Sequence, residues 1–176
     1  MTKVSVVKQD ITKLKIQCIV NASNSSGLGC TIPNHCVDSA IHLGAGPKLY
    51  DECKDLNGIP TGVAKITNAY NLPCNKIIHV TGPIADDEED HIMLAKCYKN
   101  CLDVAKNNNI KEIAFCCIST GLFGFSKDKA CETAMDTVVK YIKSSKYKFD
   151  KIVFCTFTET DYALYKNRLY SYKNKN

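Results

Sequence analysis

The chain has 176 residues, enough for one domain with a substantial core, and its 45% apolar and 23% charged fractions are those of an ordinary globular protein. No apolar stretch approaches the roughly 20 residues a membrane span needs, which excludes a membrane partner, and the net charge of +5 draws anions only weakly because much of it lies in the lysine-rich carboxy-terminal third. The 11 cysteines follow a start without a signal-peptide apolar region, so the expectation is a cytoplasmic protein with free thiols or metal ligands and no disulfide framework.

Val4 to Val7 is a β-branched run that predicts a strand, and residues 17 to 21 predict the next. A small, polar, glycine-containing loop follows. Val37, Ile41, Ala45 and Leu49 then recur near helical spacing, predicting a helix over 36–54 with a break near Pro47. Val63 to Thr67 and Lys76 to Thr81 read as strands separated by the turn-like Asn71-Leu72-Pro73-Cys74. Asp86 to Asp90 places acidic charge at the start of a helix running to about Asn107, where the helix dipole favours it. Ile113 to Ile118 predicts a buried strand, 126–145 a helix, Ile152 to Phe157 a strand and Asp161 to Leu169 a last helix. Strands alternating with helices predict an α/β protein, a largely parallel sheet with helices on both faces, folded as a single domain over 1–176.

Residues 20 to 46 are the stretch around which the rest is organised. A loop between a strand and a helix is where open α/β sheets place ligands, and this one carries asparagines, cysteines, a histidine and an aspartate. Cys30, His35 and Cys36 are two soft thiolates and an imidazole within seven residues. Such a set suits zinc with its fourth tetrahedral position open to water or substrate; the bland alternative is two loop cysteines beside a surface histidine. Asn21 and Asn24 can equally be turn asparagines bonded to their own backbone. Asp38 and His42, four apart, either face the pocket together or form an ordinary helix pair. His79, in the strand Ile77-Ile78-His79-Val80, reads as a satisfied structural histidine with no chemical role. Asp10, directly after the first strand, can accept a hydrogen bond from an exocyclic amine or simply cap a turn. The segment Ser119-Thr120-Gly121-Leu122-Phe123-Gly124 joins a buried strand to a helix, and its glycines and the helix start suit phosphates, although many such turns are only turns. Phe123 is either a lid over a sugar or a loop anchor.

Taken together, these stretches resemble the macrodomain family, which binds ADP-ribose. The resemblance rests on Gln9-Asp10-Ile11-Thr12, Ile19-Val20-Asn21-Ala22-Ser23-Asn24, Val37-Asp38-Ser39-Ala40-Ile41-His42 with Ala45-Gly46, Gly62-Val63-Ala64-Lys65-Ile66-Thr67, Ile78-His79-Val80-Thr81-Gly82-Pro83 and Ile118 to Gly124. These run in the expected order from about residue 3 to 169. The resemblance implies a three-layer α/β/α fold with a mixed, largely parallel central sheet. By position it implies Asp10 on the adenine amino group with Ile11 nearby, Phe157 packed on adenine, Ser119, Thr120, Gly121, Leu122 and Phe123 around the diphosphate, and Asn24 and Asp38 by the distal ribose as catalytic residues.

In place of the family's common glycine run stands Gly29-Cys30-Thr31-Ile32-Pro33-Asn34-His35-Cys36. That loop resembles the zinc-dependent macrodomain branch, although no residue separates His35 from Cys36 where the branch has one. The branch implies one catalytic zinc on Cys30, His35 and Cys36. It also implies an enzyme that removes mono-ADP-ribose from modified protein side chains, with ADP-ribose and mono-ADP-ribosylated proteins as partners. The alternative function is a non-catalytic ADP-ribose reader. A nucleic-acid binder ranks lowest, because the basic-aromatic stretch Tyr141 to Tyr147 is better explained as an amphipathic helix.

Overall fold

The computed structural model describes residues 1–32 and 36–174. Six strands form one sheet: β1 (Lys3–Lys8), β2 (Cys18–Ser23), β3 (Ala64–Asn68), β4 (Lys76–Thr81), β5 (Glu112–Phe115) and β6 (Lys151–Thr156). Their order across the sheet is β1-β6-β5-β2-β4-β3. Every neighbouring pair is parallel except the edge strand β3, which runs antiparallel to β4 with Lys65 opposite His79. The helices are α1 (Val37–Ala45), α2 (Pro47–Lys54), α3 (Glu88–Asn107), α4 (Lys127–Ser144) and α5 (Glu159–Lys173), and a single 3-10 turn covers Ile11–Lys13. Helices α1 and α2 pack together against β2 and β3, while α3, α4 and α5 pack in a second row. This is the expected three-layer architecture with a mixed sheet.

Central strands covered on both faces should read as continuous apolar runs. Accordingly Cys18, Ile19 and Val20 of β2, Ile113, Ala114 and Phe115 of β5, and Ile152, Val153 and Phe154 of β6 are all buried. Phe115 stacks on Phe154 and touches Tyr98 of α3, so aromatic packing ties the sheet to the second helical row. No helix among the described residues is long and apolar enough to cross a membrane.

The predicted 36–54 helix is two helices. Gly46 adopts φ +85, a left-handed conformation that ends α1, and Pro47 then starts α2 at its first turn, where its missing N–H costs nothing. Helix α3 starts as its charges predict, with Asp87 capping the Asp90 N–H at 2.9 Å. Three elements differ most from expectation, the first being β2, which runs on to Ser23, two residues past its predicted end. Strand β5 ends at Phe115, because Cys116, Cys117 and Ile118 leave the ladder to line or underlie a cleft. Helix α5 begins at Glu159 and reaches Lys173, with Thr158 capping Asp161 N.

From the junction of β2 and β5 the chain winds outward in opposite directions, to β4 on one side and β6 on the other. Loops at such a switch point diverge and leave a crevice at the carboxy-terminal ends of the strands.

Candidate active site

The crevice encloses about 600 Å³. It is built from the segments after β1 (Gln9, Asp10, Ile11), β2 (Asn24, Cys30), β5 (Cys116 to Phe123) and β6 (Phe157, Thr158), with Asp38 and Cys36 at the start of α1. That volume suits a nucleotide-sized ligand. Every described residue expected in the site lines this one cleft: Asp10, Ile11, Asn24, Cys30, Cys36, Asp38, Ser119, Thr120, Gly121, Leu122, Phe123 and Phe157. His35, expected as the third metal ligand, lies outside the described residues.

At one end, Asp10 caps the 3-10 turn, its Oδ1 accepting from the Thr12 N–H at 2.9 Å and the Thr12 hydroxyl at 2.7 Å. Both bonds use the same oxygen, so Oδ2 is left for a ligand. Phe157 stands 78% exposed beside it, an aromatic face held in solvent at the cleft edge. Behind it, buried Asp161 accepts from Thr158 Oγ1 at 2.7 Å and from the cleft-lining Lys127 at 3.0 Å.

The middle of the cleft is the 119–124 loop. Ser119 adopts φ +67, and its carbonyl receives the Phe125 N–H at 2.9 Å, which folds the loop back before α4 begins. Phe123 is half-buried; the loop is anchored by Phe125, buried edge-on to His91 at 4.9 Å. The buried Ser119 hydroxyl has no hydrogen-bond partner in the protein. An unpaired buried hydroxyl costs about 1–3 kcal/mol, a penalty removed when an anionic ligand oxygen accepts from it.

At the other end the two asparagines part company. Asn24 is a turn asparagine: its Oδ1 accepts from the N–H groups of Ser26 and Gly27 (3.2 Å each) and the Ser26 hydroxyl (2.6 Å), while Nδ2 donates to Gly29 O at 3.2 Å. Asn21 is not one. It is fully buried in β2, and its Nδ2 lies 2.7 Å from Asp38 Oδ1 and 3.0 Å from His79 Nδ1. Asp38 also faces His42 Nε2 at 3.5 Å, so the spacing of four brings an acid and an imidazole together at the cleft wall. Burial pushes the Asp38 carboxyl up, against the opposing pull of the Asn21 hydrogen bond and of His42. Burial likewise lowers His42, offset in part by Asp38.

Cys30 and Cys36 flank Asp38, both half-buried. The Cys30 thiol points toward the Ile32 carbonyl at 3.9 Å, and the adjoining Cys36 thiol pushes its pKa up. Two neighbouring thiols at the cleft mouth fit a soft divalent metal, which needs ligands that can give up protons together. A second group, His42, Cys53 and His79, brings its ligand atoms within 4.8 Å of one another. It fits a metal poorly, because Nδ1 of His79 already meets Asn21 and Nε2 meets Thr67 at 2.8 Å.

The sequence offered Asn21 only as a turn asparagine and His79 only as a structural histidine, and it did not single out Thr67. Their partners lie 12 to 58 positions apart, and nothing local marks a strand asparagine as the support of a helix aspartate.

Comparison with known proteins agrees with the geometry. The Macro domain family pattern matches residues 20–134, from β2 through both cleft loops into α4. The chain is 44% identical over 173 residues to the ADP-ribose glycohydrolase MACROD2 of Homo sapiens, covering 95% of this chain and 39% of that protein. It is 46% identical over 175 residues to a protein-ADP-ribose hydrolase of Treponema medium, covering 94% of this chain and 66% of the relative. The chain thus spans about two fifths of the length of the human relative. Among solved structures it resembles the Oceanobacillus iheyensis macrodomain with ADP, with a TM-score of 0.88, 34% identity, and coverage of 97% of this chain and 92% of that one. It also resembles the Trypanosoma brucei macrodomain in complex with ADP-ribose, with a TM-score of 0.87 and 34% identity over 94% of this chain and 68% of that one. With this sheet, this cleft and these relatives, the chain belongs to the Macro domain family.

Proposed function

We propose that the protein hydrolyses the bond joining mono-ADP-ribose to protein side chains. The observation that carries this reading is the buried Asp38 carboxylate at the cleft wall, pushed up by burial and held by Asn21 and His42. A carboxylate so raised is a stronger base than a solvated one, and positioned general bases contribute about 10²- to 10⁴-fold. The names of the relatives, ADP-ribose glycohydrolase and protein-ADP-ribose hydrolase, support the same reaction class.

In this reading the adenine lies at Asp10 and Phe157, with the free Asp10 oxygen accepting from its amino group. The diphosphate follows the 119–123 loop and takes the unpaired Ser119 hydroxyl. The distal ribose then reaches Asp38. Asp38 accepts a proton from a water that adds to the anomeric carbon, the bond from that carbon to the side-chain oxygen breaks, and the leaving oxygen takes up a proton. Asn24, its amide engaged in its own turn, shapes the loop that walls the ribose.

Cys30 and Cys36, with His35, would hold one zinc at the mouth of the cleft. When bound, such a metal polarises oxygen atoms of the distal ribose or a water there. Two thiols side by side next to Asp38 support the assignment.

Two substitutions test these statements separately. Asp38→Asn should lower turnover of a mono-ADP-ribosylated protein by at least about 100-fold while ADP-ribose affinity stays within a few-fold. Retained turnover would overturn the base assignment, and release by neither protein would favour a reader. Metal content per purified chain, compared with Cys30→Ala, tests the metal: about one zinc in the parent and none in the variant is expected. Equal content in the two would remove zinc from this loop.

A further inference from the structure

Behind Asp38 a row of hydrogen bonds crosses from helix α1 through β2 and β4 to the edge strand β3, and its polarity follows from one hydroxyl. Thr67 Oγ1, buried in β3, donates to Asn68 O at 3.1 Å. With that hydrogen on the carbonyl, the hydroxyl accepts at its other contact, His79 Nε2 at 2.8 Å, the one arrangement in which both contacts are hydrogen bonds. The Nε2 therefore carries the proton. His79 is fully buried, and burial lowers its pKa to about 3, so the ring is neutral and holds a single proton. Its Nδ1 is then a bare lone pair, which accepts from Asn21 Nδ2 at 3.0 Å. The second hydrogen of the same amide goes to Asp38 Oδ1 at 2.7 Å. Turned over, the Asn21 amide would aim its oxygen at both a lone pair and a carboxylate, so the tautomer of His79 fixes the amide.

We propose that Thr67, remote from the cleft, is a positioning residue: by holding the proton of His79 on Nε2 it keeps the Asn21 amide donating to Asp38. The inference rests on the reading of Asp38 as the general base. Thr67 does not line the cleft. The other titratable groups influencing Asp38 or influenced by it are His42 from its own helix, Cys53 from α2, Cys30 from the preceding loop and Cys116 from the segment after β5, and a change at Thr67 leaves all four in place.

The tautomer is directly observable. In the parent protein, ¹⁵N nuclear magnetic resonance of the His79 ring should show Nε2 protonated and Nδ1 bare; the opposite assignment overturns the proposal without reference to activity. Thr67→Val, which keeps shape and removes the hydroxyl, should move the proton to Nδ1 in a detectable fraction of molecules. It should lower kcat about tenfold, the effect of roughly one hydrogen bond, with KM within about twofold. Thr67→Ser should restore both the tautomer and kcat. A Thr67→Val protein with parental kcat and tautomer sinks the relay and leaves the hydrolase intact. An active Asp38→Asn sinks the hydrolase mechanism while leaving the tautomer assignment standing.

Discussion

Gly82, immediately after β4, lies so close beneath Ser119 that a β-carbon placed on it would collide with the Ser119 hydroxyl and come within 2.8 Å of Ile118 Cγ2. The 119–124 loop thus rests on a position with no side chain, and Ser119, already at φ +67, has little backbone freedom left to move away.

Gly82→Ala should therefore displace Ser119. Overpacking of this kind costs about 1–3 kcal/mol of stability, and the loss of the Ser119 contact should weaken ADP-ribose by about tenfold. Urea unfolding and titration calorimetry read the two effects. Unchanged affinity in a destabilised variant would place the diphosphate away from Ser119.

In the proposed reading Asp10 caps the 3-10 turn with one oxygen and meets the ligand with the other, and one substitution separates the two. Asn caps about as well as Asp, so Asp10→Asn should leave stability within about 0.5 kcal/mol. A donor would then face the adenine amino group, so ADP-ribose affinity should fall about tenfold. Equal affinity would show that Asp10 serves only the 3-10 turn.

Phe157, exposed at the cleft edge, contributes little to the core. Base–aromatic stacking contributes about 1–3 kcal/mol. Phe157→Ala should thus weaken ADP-ribose by about 5- to 100-fold with almost no change in melting temperature, and Phe157→Tyr should retain affinity. A variant that binds as the parent does would leave adenine without its aromatic partner.

Stability should depend on pH through the buried histidines. His79 falls from 6.5 in the unfolded chain to about 3 in the fold, so between those values the unfolded chain binds the proton that the fold refuses. Its contribution is present above pH 6.5 and is lost as pH falls toward 3, at up to about 1.4 kcal/mol per unit. His42, also lowered, adds in the same direction. Asp38, raised above 3.8, has the opposite sign: its contribution is full below that value and is lost as pH rises through its folded pKa. Urea midpoints should therefore drop from pH 7 to pH 5, and more steeply than in a His79→Leu variant. A parallel decline in both would assign the effect elsewhere.

The strands were legible because each central one is apolar on both faces, and the cleft because its residues sit where strands end. The α1–α2 break was legible because Gly46 and Pro47 are punctuation at any level of structure. The end of β5 was not: Cys116-Cys117-Ile118 continues the apolar run of the strand, and only the third dimension shows those residues serving the cleft. Asn24 and Asn21 looked alike from their neighbours, yet one closes a turn and the other reaches Asp38. That difference depends on Asp38, 17 positions along the chain, being folded against Asn21. The row from Thr67 to Asp38 joins four elements, so no window of sequence contains it.

The chain's load of sulfur is arranged unevenly. All 11 cysteines are free, and burial holds Cys53, Cys74, Cys97 and Cys155 at about 11 and Cys116 and Cys131 at about 12. At neutral pH these are small apolar side chains and poor nucleophiles. Cys30 and Cys36, by contrast, stand half-open at the entrance. With Cys117, the third half-buried thiol, replaced, a thiol-directed fluorophore would find its attachment point at the rim of the cleft, and the molecule would offer itself as an optical reporter of what enters.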